Sequence, residues 1–340
     1  MENKARVISQ HKGAYKVKNE NGEFLAKVTG KQMFTANTRE DYPAVGDWVI
    51  IDELPENNAV IKEILPRQTI IKRTFGDKNK SGKKNDTQVI ATNIDVAFVV
   101  ESIGRDYNLN RLERYFAIVS DQGIKPAVLL NKIDLISKAE LAEKISEIKT
   151  RFPDIDVVAT STVGGESLNE LKNYLENGKT YCFLGSSGVG KSSLINKLLG
   201  DSIIKTGEVS QYSDRGKHVT TGRQMYFLTN GAIVIDNPGI REVGMANASP
   251  AVDSAFEKVT ELALQCKFKD CTHTHEKGCK VLEAVQADEI SKQQYENYLN
   301  LKKESDYYEM SEIKRKEKKR DFGKFVNTAK KTLKKYGHKI

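Results

Sequence analysis

The sequence has no apolar run approaching the roughly 18 residues that a membrane-spanning helix needs, and its first residues, Met1 to Arg6, are charged rather than apolar. It also has only four cysteines among 340 residues. The missing run excludes a membrane protein and the charged start excludes a secretory signal, so we expect a cytoplasmic protein. In a reducing compartment the cysteines are expected as metal ligands or buried thiols rather than disulfides.

Length and composition indicate a globular protein of two or three domains, because 39% of the residues are hydrophobic, 29% are charged, and domains usually have about 100–150 residues. The net charge of +8 comes from the C-terminal segment, since residues 311–340 hold twelve Lys or Arg against three Asp or Glu. This basic extension fits either a segment that binds phosphate backbones or a solvated charged helix.

Short β-rich runs separated by turn residues occupy residues 1–73. The clearest runs are Tyr15–Val17, Phe24–Val28, Asp47–Ile51 and Ala59–Ile61. Such runs are typical of a small closed barrel, and we prefer an OB-fold over an SH3-like barrel, although the pattern alone fits both. Residues 74–90 begin with a charged stretch that is rich in turn formers, which predicts a flexible linker.

From residue 91 the pattern changes to buried strands that alternate with amphipathic helices. This alternation predicts an α/β domain over residues 91–244, with a mainly parallel sheet covered by helices on both faces. Strand-like runs then stop, and helical segments flank a cluster of cysteines. The fold class is therefore multi-domain, with a helical, metal-binding domain over residues 245–310 and the basic extension after it.

The segment after the strand-like run Tyr181–Leu184 fits the G-x-x-x-x-G-K-[ST] pattern of a phosphate-binding loop. Backbone N–H groups of such a loop surround the phosphates, Lys191 reaches the β- and γ-phosphates, and the Ser192 hydroxyl ligates Mg²⁺. Its position between a strand and a helix favours nucleotide binding. The expected binding residues are Gly185, Ser186, Ser187, Gly188, Val189, Gly190, Lys191, Ser192 and Ser193.

The base is indicated by Asn131, Lys132 and Asp134, which follow the run Ala127–Leu130 and fit the N-K-x-D pattern of guanine recognition. Asp134 can accept hydrogen bonds from the guanine ring N–H and exocyclic amine, and adenine lacks that amine. This argues against an ATP-dependent P-loop enzyme, which is the competing interpretation. A polar loop with Ser161 and Thr162 is a weaker candidate for completing the guanine pocket.

Asp236 and Gly239 belong to a D-x-P-G pattern that directly follows the buried run Ala232–Ile235. Asp236 is expected to hold Mg²⁺ through water, and the Gly239 amide to contact the γ-phosphate. Ile240 stands where many GTPases have a water-orienting glutamine, which predicts slow hydrolysis unless another group completes the site.

The polar segment between these two motifs is where a switch loop with a metal-binding threonine is expected, and Thr220 is the candidate for Mg²⁺. His218 could orient or deprotonate the attacking water, but a lone histidine in a loop is more often simply solvated.

The order of the motifs is rotated, because base recognition at residue 131 precedes the phosphate-binding loop at residue 185, with which ordinary GTPases begin. Cyclic rotation keeps the same three-dimensional site, since the termini of compact domains often lie close together. We therefore predict a circularly permuted GTPase domain.

Three cysteines and a histidine lie close together further along the chain: Cys266, Cys271, His273 and Cys279. Three thiolates and one imidazole are the ligand set of a closed structural Zn²⁺ site. His275 is a competing ligand, and buried thiols without metal are the alternative. Cys182, in an apolar run, is expected in the core.

These features resemble the RsgA (YjeQ/YloQ) family, circularly permuted GTPases of small ribosomal subunit biogenesis. The resemblance covers almost the whole chain and includes Val45–Val49, Gly216–His218 before the threonines, the rotated order and the Cys-Cys-His-Cys pattern. It departs at Val219, where the family commonly has threonine, and at Asn237, where D-T-P-G is usual.

The resemblance implies OB, GTPase and zinc domains and GTP hydrolysis stimulated by the small (30S) subunit during its late maturation. It places the catalytic histidine at His218 and one structural Zn²⁺ on the four clustered ligands, with Mg²⁺ accompanying GTP. Lys191 of the phosphate-binding loop is the second catalytic candidate. The resemblance also implies GTP/GDP, the 30S subunit and its 16S rRNA as partners. Nothing in the sequence indicates an obligate dimer, so we expect a monomer. A non-catalytic, GTP-binding RNA scaffold is the alternative, against which the intact Lys191, Ser192 and Asp236 argue.

Overall fold

The computed structural model describes residues 3–11, 13–30, 34, 36, 38–75, 86–104, 107–163, 166–186, 188–200, 223–236, 252–253 and 255–309. The chain divides into two compact units, Met1–Gly244 and Met245–Ile340. Within the described ranges, no helix combines the length and the apolar character needed to cross a membrane. The finer domain boundaries given above stay predictions.

The first unit begins with a closed five-stranded barrel. Its strands are β1 (Lys4–His11), β2 (Ala14–Asn19), β3 (Gly22–Val28), β4 (Trp48–Leu54) and β5 (Asn58–Ile64). The order is β1-β2-β3-β5-β4, with β4 pairing back to β1 and only β3–β5 parallel. This Greek-key closure is the OB arrangement, and alternate residues such as Val17, Phe24 and Ile61 fill its core.

A separate hairpin follows the barrel, formed by β6 (Ile70–Phe75) and β7 (Asp86–Thr92). The predicted flexible linker, residues 74–90, was therefore wrong for residues 74–75 and 86–90, which are strand; residues 76–85 lie outside the described residues. The charged sequence between the two strands dominated the pattern, whereas the apolar run Val89–Ala91 is buried and belongs to a β-ladder.

The rest of this unit is the predicted α/β domain. Its strands are β8 (Val96–Ser102), β9 (Lys125–Asn131), β10 (Asp156–Ala159), β11 (Thr180–Leu184), β12 (Gln224–Phe227) and β13 (Ile233–Asp236). They form a sheet of order β10-β9-β8-β11-β13-β12, parallel except for β12. Every residue of β8 and β11 is buried, as expected for a sheet with both faces covered.

The helices of the α/β domain are α1 (Leu109–Ser120), α2 (Lys138–Arg151), α3 (Glu166–Tyr174) and α4 (Lys191–Leu199), with a short 3₁₀ helix at Ile133–Leu135; another 3₁₀ helix, Arg39–Asp41, lies between β3 and β4 of the barrel. Ser137 caps α2 in a capping box with Glu140, and Asn108 caps α1. These caps fix where the helices begin, directly after the loops at the carboxyl edge of the sheet.

A buried arginine joins the barrel to the α/β sheet. Arg6 of β1 donates to the carbonyl of Asn93 and the hydroxyl of Thr180, both at 2.9 Å, and its Nε donates to the Gly46 carbonyl at 3.3 Å. Strand β1 also pairs with β12, with Ser9 opposite Gln224. The barrel is thus an extension of the sheet rather than a tethered module.

A buried carboxylate holds this junction together. Asp47 accepts two hydrogen bonds from Arg67 at 2.8 Å, one from the Thr92 hydroxyl at 2.7 Å and one from the Ala44 amide at 2.8 Å. A Cβ on Gly46, which has φ of +97°, would lie 2.1 Å from the Thr92 carbonyl oxygen. Within the Val45–Val49 segment, packing at this junction therefore requires glycine at Gly46 and a carboxylate at Asp47.

The second unit contains α5 (Glu257–Ala263), α6 (Lys280–Gln286) and α7 (Lys292–Glu309), and its described residues include no strand. Phe256 and Tyr298 meet edge to face with ring centroids 5.4 Å apart, and Val259 and Val281 are fully buried. The basic extension 311–340 lies outside the described residues.

We expect Asp47→Ala to lower the free energy of unfolding of the barrel by about 3 kcal/mol, because it leaves the Arg67 cation without its buried partner. The single tryptophan, Trp48, is the neighbouring residue, so fluorescence during urea unfolding reports on this region. Asp52→Ala is the matched control on β4, because its ion pair with Lys62 is exposed and should contribute little. Equal unfolding midpoints for the two variants would contradict this account.

Candidate nucleotide site and metal centre

The predicted phosphate-binding loop lies between β11 and α4. A Cβ on Gly185, which has φ of +140°, would lie 2.4 Å from the Val100 carbonyl oxygen, so only glycine fits there. Lys191 Nζ donates to the carbonyls of Gly185 at 2.8 Å and Ser186 at 2.7 Å. The ammonium group therefore lies within the curve of the loop, at the amino end of a helix, where anionic groups are favoured.

The predicted base-recognition loop is hydrogen-bonded to the phosphate-binding loop. Asn131, the last residue of β9, is 1% exposed and donates from Nδ2 to the Val189 carbonyl at 2.7 Å. Lys132, in the left-handed region with φ of 63°, donates to the Gly188 carbonyl at 2.8 Å. These two bonds join segments that are more than 50 positions apart in sequence.

The third loop contributes through a serine. The Ser161 hydroxyl donates to the Asp134 carboxylate and accepts a hydrogen bond from the Val163 amide at 2.9 Å. The two loops meet because they follow β9 and β10, which are adjacent and parallel. Thr162 follows in the same loop and is partly exposed. The structure thus brings the base-recognition residues and the polar loop to one place.

Asp236 ends β13 at the same carboxyl edge and is 3% exposed. Burial raises the pKa of its carboxyl, and the nearby Lys191 cation partly opposes this effect. A buried carboxylate of this kind gains stability from a cation placed beside it, so it suits a metal-bound role. Ser192 and Ser193 lie in the first turn of α4.

Several predicted site residues lie outside the described residues. These are Ser187, His218, Thr220 and Gly239.

The second unit brings the predicted zinc ligands together. The ligand atoms of Cys266, Cys271, His273 and Cys279 all lie within 4.8 Å of one another. The Cys266 and Cys279 sulfurs are 3.8 Å apart, and His273 Nδ1 is 3.6 Å and 3.4 Å from them. Zinc bonded tetrahedrally to thiolates and imidazole has S···S edges of about 3.8 Å and S···N edges of about 3.6 Å. The cluster could therefore hold a metal ion.

The electrostatic setting of this cluster suits a ligand imidazole. Burial lowers the pKa of His273, which favours the neutral ring that binds metal. The competing ligand His275 is exposed, its ring Nδ1 shares a hydrogen bond with the Thr274 hydroxyl at 2.8 Å, and it is not among the side chains whose ligand atoms converge. Cys182 is fully buried in β11, as predicted.

Two residues near the cluster belong to no recognisable motif and were not predicted from the sequence. The Tyr295 hydroxyl donates to the His273 carbonyl at 2.6 Å, and Glu276 accepts hydrogen bonds from the loop that carries His273. Only the position of Glu276 inside the Cys271–Cys279 interval could have indicated it.

Comparison with known proteins identifies the family. The model of the RsgA GTPase family matches residues 64–246 of the chain. The chain belongs to the RsgA GTPase family. Relatives include small ribosomal subunit biogenesis GTPase RsgA 1 of Bacteroides thetaiotaomicron, 37% identical over 96% of this chain and 90% of the relative. RsgA of Methanosarcina acetivorans is 41% identical over 87% of this chain and 78% of the relative.

Two solved structures are similar to this chain over most of its length. YjeQ from Thermotoga maritima matches with a TM-score of 0.67 and 26% identity over 89% of this chain and 98% of that one. YloQ, a circularly permuted GTPase, matches in fold with a TM-score of 0.62 over 89% of this chain and 95% of that one, at 22% identity. The predicted resemblance, the multi-domain fold class and the GTP hydrolase class of the RsgA family are confirmed.

We expect Gly190→Ala to weaken binding of GTP about 100-fold, because Gly190 has φ of +99° and its added Cβ would lie 2.2 Å from Asn131 Nδ2. Titration of a fluorescent GTP analogue measures this change. Gly200→Ala is the matched control on the same helix, since φ there is +80° but no described atom lies within 4 Å of the added Cβ. Unchanged affinity in Gly190→Ala would show that the two loops need not be in contact.

Proposed function

We propose that this protein acts in biogenesis of the small ribosomal subunit, binding the 30S subunit and hydrolysing GTP in a subunit-stimulated manner during late maturation. The observation that carries the nucleotide part is the bond from Asn131 to the Val189 carbonyl at 2.7 Å, which joins the base loop to the phosphate loop. The ribosomal part is supported by relatives that are named small ribosomal subunit biogenesis GTPases.

The guanine is recognised by Asp134, whose carboxylate accepts hydrogen bonds from the ring N–H and the exocyclic amine. Ser161 orients this carboxylate by donating to it, so its acceptor atoms are fixed before the base arrives. Lys132 lies over the base, with Thr162 beside it, and discrimination against adenine comes from the donors that adenine lacks.

The phosphates occupy the loop from Gly185 to Ser193, where backbone amides and the α4 amino end favour negative charge. Lys191 exchanges its two carbonyl partners for β- and γ-phosphate oxygens, so its charge is already in place. Ser192, Thr220 and Asp236 are the proposed Mg²⁺ ligands, Asp236 through water. When bound, Mg²⁺ would neutralise the negative charge that develops on the oxygen between the β- and γ-phosphates.

Hydrolysis requires a residue that orients water, and Ile240 cannot do so because it has no polar group. We propose His218 for this role, with Gly239 contacting the γ-phosphate. Intrinsic turnover is then slow, and docking on the 30S subunit brings His218 to the attacking water and completes the site.

The second unit is proposed to hold a structural zinc ion and, together with the basic extension, to bind RNA. Three thiolates and an imidazole at tetrahedral spacing are the ligand set that zinc prefers. The concentrated charge of residues 311–340 is suited to 16S rRNA phosphates.

We propose that the protein is a cytoplasmic monomer. The second candidate function is a scaffold that binds GTP and RNA without hydrolysing GTP.

Steady-state GTP hydrolysis should rise strongly with isolated 30S subunits, but not with large subunits or when ATP replaces GTP. His218→Ala should abolish this stimulation while GTP affinity is retained, because the residue acts on water rather than on the nucleotide. Slow turnover that is equal under all conditions would favour the scaffold, and binding of ATP as tight as that of GTP would overturn the guanine assignment.

The purified protein should contain one zinc per chain by elemental analysis, and Cys271→Ser should lose it, because the site has no spare ligand. Cys182→Ala is the control, since that thiol lies in the sheet of the other unit. Metal-free wild-type protein that folds normally would contradict the zinc proposal.

A further inference from the structure

A single carboxylate organises the loop that carries the histidine ligand. Glu276 Oε1 accepts hydrogen bonds from the Thr272 amide at 2.8 Å and from the Thr272 hydroxyl. Its Oε2 accepts from the amides of Thr274 at 3.0 Å and His275 at 3.1 Å. One side chain therefore satisfies three backbone N–H groups on both sides of His273.

The backbone at His273 needs such support. His273 has φ of 58°, in the left-handed region that residues other than glycine rarely adopt. The Glu276 bonds hold the residues before and after it, and the Tyr295 hydroxyl on α7 holds its carbonyl at 2.6 Å. With the backbone fixed in this way, Nδ1 points to the sulfurs of Cys266 and Cys279.

Glu276 is suited to this role rather than to binding the metal itself. Both carboxylate oxygens already accept hydrogen bonds from the loop, and Glu276 is not among the side chains whose ligand atoms converge. The hydrogen bonds from Thr272 hold the pKa of its carboxyl well below the ordinary value, so the group is an anion with full acceptor capacity.

We propose that Glu276 is a positioning residue for the metal site: it folds the Thr272–His275 segment before the metal binds and thereby strengthens metal binding. This inference rests on the proposed zinc function of the four ligands. A preformed loop loses less conformational entropy when the metal arrives, and hydrogen-bonded supports of metal ligands typically change affinity by about 10–100-fold.

Glu276→Gln tests the proposal with little change of shape. Glutamine keeps one acceptor oxygen but presents an NH₂ group to N–H donors, so part of the loop loses its partner. We expect zinc affinity, measured by competition with a chromogenic chelator, to fall about 10-fold, and zinc release to a chelator to become faster. The absorption spectrum of the Co²⁺-substituted protein should stay that of three sulfurs and one nitrogen, because no ligand changes.

Two further variants sharpen the test. Glu261→Gln changes an exposed carboxylate on α5 of the same unit and should leave affinity and release rate unchanged. Thr272→Val removes the hydroxyl bond to Glu276 and the hydroxyl bond to Thr274 but keeps the backbone N–H bonds to Glu276, so the loss of zinc affinity should be smaller and in the same direction. It also keeps the proposal testable if Glu276→Gln does not fold.

The outcomes separate this proposal from the zinc proposal. Wild-type zinc affinity and release rate in both Glu276→Gln and Thr272→Val, while the wild type binds one zinc, would overturn the positioning role and leave the metal site intact. An altered Co²⁺ spectrum in Glu276→Gln would also overturn the positioning role, because it would show that Glu276 itself is a metal ligand. A wild-type protein that binds no zinc would instead reject the proposed metal function.

Discussion

The buried guanidinium of Arg6 is the contact on which the arrangement of the first unit depends. It lies between the barrel and the α/β sheet and donates to Gly46, Asn93 and Thr180. Burial lowers its pKa to about 10, against the opposing effect of Asp95 and Asp47, so it remains a cation at neutral pH. Because Thr180 begins β11, the strand that ends in the phosphate-binding loop, the barrel is fixed to the strand that places Lys191.

The rotated motif order explains why the junction lies there. In this order the domain begins with β8, which lies in the middle of the sheet beside β11, so the chain leaves the barrel and enters the centre of the domain. Asp95 N–H bonds to the Thr180 carbonyl, and the Thr180 amide bonds back to the Asp95 carboxylate at 2.7 Å. The barrel also pairs with β12 at Gln224, which lies opposite Asp236. The barrel therefore contacts β11, which ends in the phosphate-binding loop, and β12, which pairs with the strand that ends in Asp236.

Sequence reasoning predicted the features that are local and continuous. The glycine-lysine loop, the N-K-x-D loop and the buried strands each lie within about ten residues, and their strand-to-loop order places them at one edge. Strand β1 was missed because Arg6 and Ser9, though buried, are polar, and their burial depends on partners in the α/β sheet. Strand β7 was taken for linker because a charged stretch precedes it. Glu276 was missed because its role depends on which amides turn toward it, and no spacing rule encodes that.

The two candidate sites are preorganised in different ways, and the difference follows from where their supports lie in sequence. In the nucleotide site the bonds run between distant segments, as from Asn131 to Val189, so they form only when the whole sheet has folded. In the metal centre Glu276 acts within the interval between two ligands, over four positions at most. With the proposed functions, nucleotide affinity is therefore linked to the stability of the barrel and sheet, through Arg6, whereas the proposed support of the metal ligand His273 lies in one short loop and its contact with α7. A change that loosens the barrel junction should weaken GTP binding and leave metal binding unaltered, because the two supports share no residue.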